Sequence, residues 1–180
     1  MDEENVVMRI QESFRLAHEK IRDHASRNPL HKGMGCTAEL LAFSDQGFVV
    51  GHLGDSRTYR FRNGNLKQLT HDHSLIQDQL DKGLIGEEKA RRHPLRNVIL
   101  KAVGIDEDLA LDLIRGRTYP EDQFLLCSDG LTDMVDDVAI GNVFNSPIPA
   151  GKKVDQLIEL ALSGGGKDNI TVVLIDIKGT

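Results

Sequence analysis

Three aspartates stand where an apolar run meets small or polar turn residues. They are Asp55 in "VVGHLGDS", Asp129 in "FLLCSDGL" and Asp168 in "GGGKDNITVV". A carboxylate at the mouth of a core is costly unless a cation or several hydrogen bonds offset it. Any one of them is accounted for by the habit of Asp to start turns and cap helices through its own hydrogen bonds. Three gathered at one end of a sheet would repel one another, and a divalent cation relieves that repulsion. No His or Cys falls at ligand spacing around them, so the donor set is hard oxygen, which favours Mg²⁺ or Mn²⁺ over zinc. A pair of such ions can generate hydroxide and clamp a phosphoryl group. That chemistry requires the acids to converge.

The elements that must bring them together are legible in the hydrophobic periodicity. Val6, Val7, Ile10, Phe14, Ala17 and Ile21 recur at helical spacing, which predicts one amphipathic helix over residues 3–27, stopped at Asn28-Pro29. "KGMG" is a joint into "CTAELLAF", and "SDQG" (44–47) is a turn before "FVVGHL", so this pair reads as a hairpin. "TYRFRNGNLKQLT" reads as a second hairpin, with Asn63-Gly64 supplying the positive φ angles of a tight turn. From His71 to about Gly104 the pattern turns to charged, helix-like segments, an insertion over the sheets that includes "GEEKARRH" before Pro94. "LALDLIRG" and "DQFLLCS" return to strands; "DDVAIGNVF" and "KKVDQLIELAL" read as helices, the second stopped by "GGG". "NITVVLIDI" is apolar enough to predict a central last strand. Antiparallel hairpins with helices grouped apart indicate the α+β class, and with no linker or repeat residues 1–180 read as a single domain.

Competing motifs fail on context. "GMGCTA" (33–38) has dinucleotide-loop spacing but follows a helix and enters a strand, the reverse of that fingerprint. "GGGKDN" (164–169) lacks the first-glycine spacing and the Ser/Thr after Lys of a P-loop, and "LGDSRT" is no nucleophile elbow. His71 and His73 in "HDH" read as a solvated turn with Asp72 as cap, His93 before Pro94 as a helix terminus, and His52 as a hydrogen-bonded core histidine. None of His52, His73 and His93 supports assignment as a general acid.

Composition narrows the classes. A chain of 180 residues can bury a real core, and with no Trp that core rests on Leu, Ile, Val and Ala. A net charge of -6 argues against a nucleic-acid partner, which would call for a basic face. Cys36 and Cys127 each sit in an apolar run and read as buried thiols of a reducing compartment. The first twenty residues are too charged for a signal peptide, and no apolar stretch approaches the ~20 residues of a membrane helix. The expectation is a cytoplasmic protein without membrane contact, of unassigned oligomeric state.

"GMGCTAELLAF", "GHLGDSRTYRFRNGNLKQLTHDHSL", "HPLRNVILKAVG", "LLCSDGLTDMV" and "GGGKDNITVVLI" stand in an order and spacing that resembles the metal-dependent (type 2C, PPM-type) protein Ser/Thr phosphatases, the compact bacterial members above all. The likeness runs from about Met34 to Ile177. It implies a four-layer αββα sandwich of antiparallel sheets, with hydrolysis of phosphoserine and phosphothreonine in proteins by metal-activated water. It implies two core Mn²⁺ or Mg²⁺ ions and a weaker third. By position, Asp129 and Asp168 match core metal ligands and Asp55 the third-metal position, while His71 to Gly104 matches the mobile flap beside the cleft. Phosphorylated proteins, with a Ser/Thr kinase or its substrates, are the implied partners.

The chain also departs from that pattern. The family's earlier pair of strands supplies a phosphate-gripping Arg, an Asn-Glu-Asp type motif and an Asp-Gly whose carboxylate bridges the core metals; no Asp-Gly-Met-Gly and no Arg-x-x-Asn-Glu-Asp motif occurs in the 180 residues. Cys36 stands where Thr is usual, with Thr37 retained. The expectation is therefore the C-terminal portion of a phosphatase domain, N-terminally truncated and inactive alone for lack of those ligands, with unpaired strand edges. The alternative is a non-catalytic phosphatase-like binding module that begins naturally at Met1.

Overall fold

The computed structural model describes residues 1–45, 47–91 and 93–178. They divide into two compact units, Met1–Asp55 with Asp72–Arg117, and Ser56–His71 with Thr118 onward.

The first unit is built on helix α1 (Glu3–Arg27) and a three-stranded antiparallel sheet in the order β1 (Ala38–Phe43), β2 (Phe48–Leu53), β5 (Asp112–Gly116). The amphipathic repeat of α1 puts Val6, Val7, Ile10 and Phe14 against Val49, Leu53 and Val103 in one buried cluster. Gly51 admits this contact: a side chain there would meet Ile10 at 2.5 Å and Phe14 at 2.9 Å. Arg115 on β5 ties the helix start by pairing with Glu3 at 3.2 Å and Glu4 at 2.7 Å. Position 17, expected on the buried face, is exposed; His18 is buried instead, and its Nδ1 accepts the Gly104 N–H at 3.0 Å. An alanine offers too little apolar area to outcompete a ring that captures a buried amide.

The charged insertion contains two short helices, α2 (Leu75–Asp81) and α3 (Glu87–Arg91), and position 92 of "GEEKARRH" lies outside the described residues. The helix α2 is capped by Ser74, whose hydroxyl accepts from Gln77 N–H at 3.2 Å, and not by Asp72. Cys36, expected buried, is exposed; its backbone bridges Val103 while its side chain precedes the first strand. The turn 44–47 is described except at position 46.

The second unit is a four-stranded antiparallel sheet in the order β4 (Asn65–Gln68), β3 (Arg57–Arg62), β6 (Gln123–Cys127), β7 (Val172–Asp176). The β3–β4 turn takes φ 50° at Asn63 and 78° at Gly64, as the Asn-Gly pair predicts. Tyr59, Leu125 and Cys127 face the helices α5 (Asp137–Asn145) and α6 (Ala150–Ser163), where Ile140, Phe144 and Leu157 complete the core. The helix α5 is capped by the Asp136 carboxylate on Ala139 N–H, and Gly164 to Gly166 end α6.

The last strand is not central. Among the described residues β7 pairs with β6 alone and stands at the sheet's edge, with Val173 47% exposed. Its run is apolar on both faces, but only Val172 and Leu174 pack into the helix-side core.

Gly51→Ala should overpack the α1–β2 contact and lower stability by about 1–3 kcal/mol. Urea unfolding measures this; an unchanged midpoint would show that helix and sheet separate freely.

Candidate metal centre

The strand β6 ends at Cys127, and Ser128 turns the chain into the short helix α4 (Asp129–Thr132). Three hydrogen bonds tie Ser128 to the segment entering β7. Its N–H donates to Thr171 O at 3.1 Å, its hydroxyl donates to Asn169 O at 3.0 Å, and the same oxygen accepts from Thr171 N–H at 3.0 Å. Gly130 seals the junction: a Cβ there would lie 2.4 Å from the Asn169 carbonyl oxygen. Asp129 and Asp168 are therefore carried to the same end of the sheet.

Their electrostatics follow. Burial, then the negative charges of Asp168 and Asp133, push the Asp129 carboxyl above its ordinary pKa, against backbone N–H groups that pull it down. Among the described residues neither Asp129 nor Asp168 forms an ion pair with Lys or Arg. Asp168 is exposed and accepts from the Asn169 N–H at 2.7 Å. Two oxygen donors of like charge, one half-buried and without a cationic neighbour, suit a hard divalent ion. They are a partial set: among the described residues no three His, Cys, Asp or Glu side chains gather as a metal cage.

Asp55 belongs to the first unit, in the turn after β2, and is buried. The preceding Gly54 has φ 123°, with Thr37 in the space of an absent side chain. Of the three candidate acids, the structure brings Asp129 and Asp168 together and places Asp55 on the other unit.

His52 and His93 sit as their sequence contexts predict, and His73 does not. His52 is fully buried and pairs through Nδ1 with Glu39, as a core histidine should. His73, expected in a solvated turn, is buried, with its ring 4.7 Å from that of His52. A short polar run after a hairpin carries no periodicity that would separate a docked ring from a solvated one. His93 does lie just beyond α3, its N–H on Ala90 O at 3.1 Å.

A separate cavity of about 270 Å³ lies at the opposite end of β6, lined by Phe61, Arg62, Asp122, Gln123 and Lys153 among others. Lys153 there caps α5 by donating to Phe144 O at 2.6 Å and holds Gln123 at 3.0 Å, which is a structural task.

With an antiparallel α+β frame and an acidic pair at one sheet end, comparison with known proteins is direct. The family described as protein phosphatase 2C matches residues 1–79. The serine/threonine phosphatase Stp of Listeria welshimeri is 39% identical over 144 residues, covering 80% of this chain and 57% of that protein. The solved structure of Stp1 from Staphylococcus aureus superposes with a TM-score of 0.91 at 32% identity, covering 99% of this chain and 70% of that one. A solved PstP catalytic domain, described in complex with 2 manganese ions, has a TM-score of 0.82 at 34% identity and covers 90% of this chain and 67% of that one. The chain belongs to the protein phosphatase 2C (PPM) family, and its fold is the one those phosphatases share. It spans little more than half the length of the Listeria relative it matches.

Because the folded state raises the Asp129 pKa, its protonated form stabilises the protein fully in acid, and that stability is lost as pH rises through the folded pKa. In chelating buffer, Asp129→Asn should raise stability at neutral pH by no more than about 1 kcal/mol given the partial exposure, seen as a higher thermal midpoint. The advantage should vanish in acid. Thermal unfolding across pH checks both, and a destabilised variant at neutral pH would contradict the repulsion.

Proposed function

We propose that this chain carries part of the catalytic centre of a Mn²⁺- or Mg²⁺-dependent phosphatase acting on phosphoserine and phosphothreonine in proteins. The observation that carries the reading is the meeting of Asp129 and Asp168 without a cationic neighbour. Both carboxylates would hold core metal, and Asp55 a weaker third ion. Bound divalent ions would supply an activated water and neutralise phosphoryl oxygens.

The chain's own residues set the stage for that. Ser128 fixes the spacing of the two carboxylates by tying both backbone segments, so little ordering entropy remains to be lost on metal binding. Gly130 keeps the Asn169 carbonyl close, so the acids cannot drift apart. Family membership and the solved relative described with 2 manganese ions support the metal assignment. The partners in this reading are phosphorylated proteins, such as a kinase or its substrates, and the setting is the cytoplasm; among the described residues no helix is long and apolar enough to cross a membrane. Both units would serve one phosphatase domain, with the segment from His71 to Gly104 as its flap. The bridging Asp-Gly-Met-Gly motif that the resemblance requires is absent from the 180 residues, so the chain alone holds an incomplete ligand set.

A fusion separates the possibilities. Joining these residues behind the N-terminal part of the Listeria relative should yield Mn²⁺-dependent hydrolysis of a phosphothreonine peptide. Asp129→Asn or Asp168→Asn should lower kcat/KM on the order of 10²-fold or more, the scale of losing one preorganised electrostatic contact. Turnover that survives chelation, or that ignores both substitutions, would sink the reading.

A further inference from the structure

Strand register sets up an unusual polar row in the first unit. Glu39 on β1 pairs with His52 on β2, and His52 pairs with Asp112 on β5, so the three are cross-strand neighbours. These side chains lie on the face opposite the one that Val49, Gly51 and Leu53 turn to α1. The ring of His73, from the start of the insertion, sits on that row, tilted by 32° over His52 with its Nε2 3.2 Å from Asp112 Oδ2.

His73 also grips one residue twice. Its backbone N–H donates to Gly54 O at 2.7 Å, and its ring Nδ1 accepts the Gly54 N–H at 3.2 Å. Both backbone polar groups of Gly54 are thus held by a single residue. The same peptide is confined on its other side by Thr37, so its positive φ is fixed by packing as well as by hydrogen bonds. Because Nδ1 accepts, the ring hydrogen sits on Nε2 and is donated to Asp112. Burial and the neighbouring His52 push the His73 pKa down against the pull of Asp112, which keeps Nδ1 available as an acceptor. The His73 carbonyl, in turn, accepts from Leu100 N–H at 2.7 Å, and Leu75 N–H donates to Val98 O at 2.9 Å. One residue therefore joins both roots of the insertion to the peptide that precedes Asp55.

We propose that His73 is a positioning residue that fixes the Gly54 peptide and thereby aims the Asp55 carboxylate, setting the affinity of the cation held there. This rests on the reading of Asp55 as a metal ligand. Asp112 serves the same end at one remove by orienting the His73 ring.

The test uses the fusion described above, which restores the missing N-terminal ligands, with Mn²⁺ alone as the probe. Electron paramagnetic resonance of free Mn²⁺ defines the binding lost in Asp55→Asn, and separately the binding lost in Asp129→Asn. His73→Leu should weaken the Asp55-dependent binding by about 10-fold or more, the scale of losing an outer-shell partner, and leave the Asp129-dependent binding unchanged. His73→Asn, whose amide oxygen can occupy the place of Nδ1, should recover most of the loss. A residue with a merely structural role would lower the melting temperature in both variants without dividing the two classes of binding. Wild-type affinity in His73→Leu, or no recovery in His73→Asn, overturns the proposal while leaving Asp55 as a ligand. Absence of any Asp55-dependent binding in the parent fusion overturns the ligand reading itself, and this proposal with it. Should His73→Leu not fold, the ring ¹⁵N shifts of the parent fusion decide: a hydrogen on Nε2 upholds the clasp, and one on Nδ1 refutes it.

Discussion

Two carboxylates of like charge are held at one end of a β-sheet, near enough for Asp168 to raise the Asp129 pKa, and the core metal site depends on what keeps them there. The chain could relieve the repulsion by letting the entry to β7 swing away. Ser128 prevents this with three hydrogen bonds to Asn169 and Thr171, and Gly130 leaves no room for a side chain between the segments. Repulsion retained at this cost is the usual mark of a site shaped for a ligand rather than for stability.

The two units solve the problem of presenting acids in different ways. In the second, a strand simply ends and its last residues are stapled to a neighbour. In the first, the turn after β2 reaches Asp55 through a glycine at φ 123°, a conformation open to glycine but rarely to other residues, and His73 holds that glycine by hydrogen bonds. Both devices use hydrogen bonds to hold the backbone next to an acid.

Much of this was legible in the sequence, for physical reasons that also mark its limits. The helix over residues 3–27 and the two hairpins are encoded by periodicities of about 3.6 and 2 and by an Asn-Gly turn, all local signals. The meeting of Asp129 with Asp168 was inferred from both standing at strand ends, and β6–β7 pairing delivers it. What failed was non-local. Apolar residues on both faces of β7 suggested a central strand, but position within a sheet is decided by partners, not composition. Position 17 lost its buried place to His18 because a backbone amide at Gly104, far along the chain, wanted an acceptor. The burial of His73 depends likewise on a row of residues from three separate strands, which no window of sequence reveals.

The two thiols differ in a way that has practical use. Cys127 is sealed in the helix-side core of its sheet, while Cys36 is open to solvent at the foot of β1, where its backbone is bridged to Val103. A maleimide dye or nitroxide added to the native protein will therefore attach at one position without any engineered substitution. That label sits beside the segment by which the insertion returns toward β5, so its fluorescence or mobility becomes an inbuilt gauge of how firmly that return is seated.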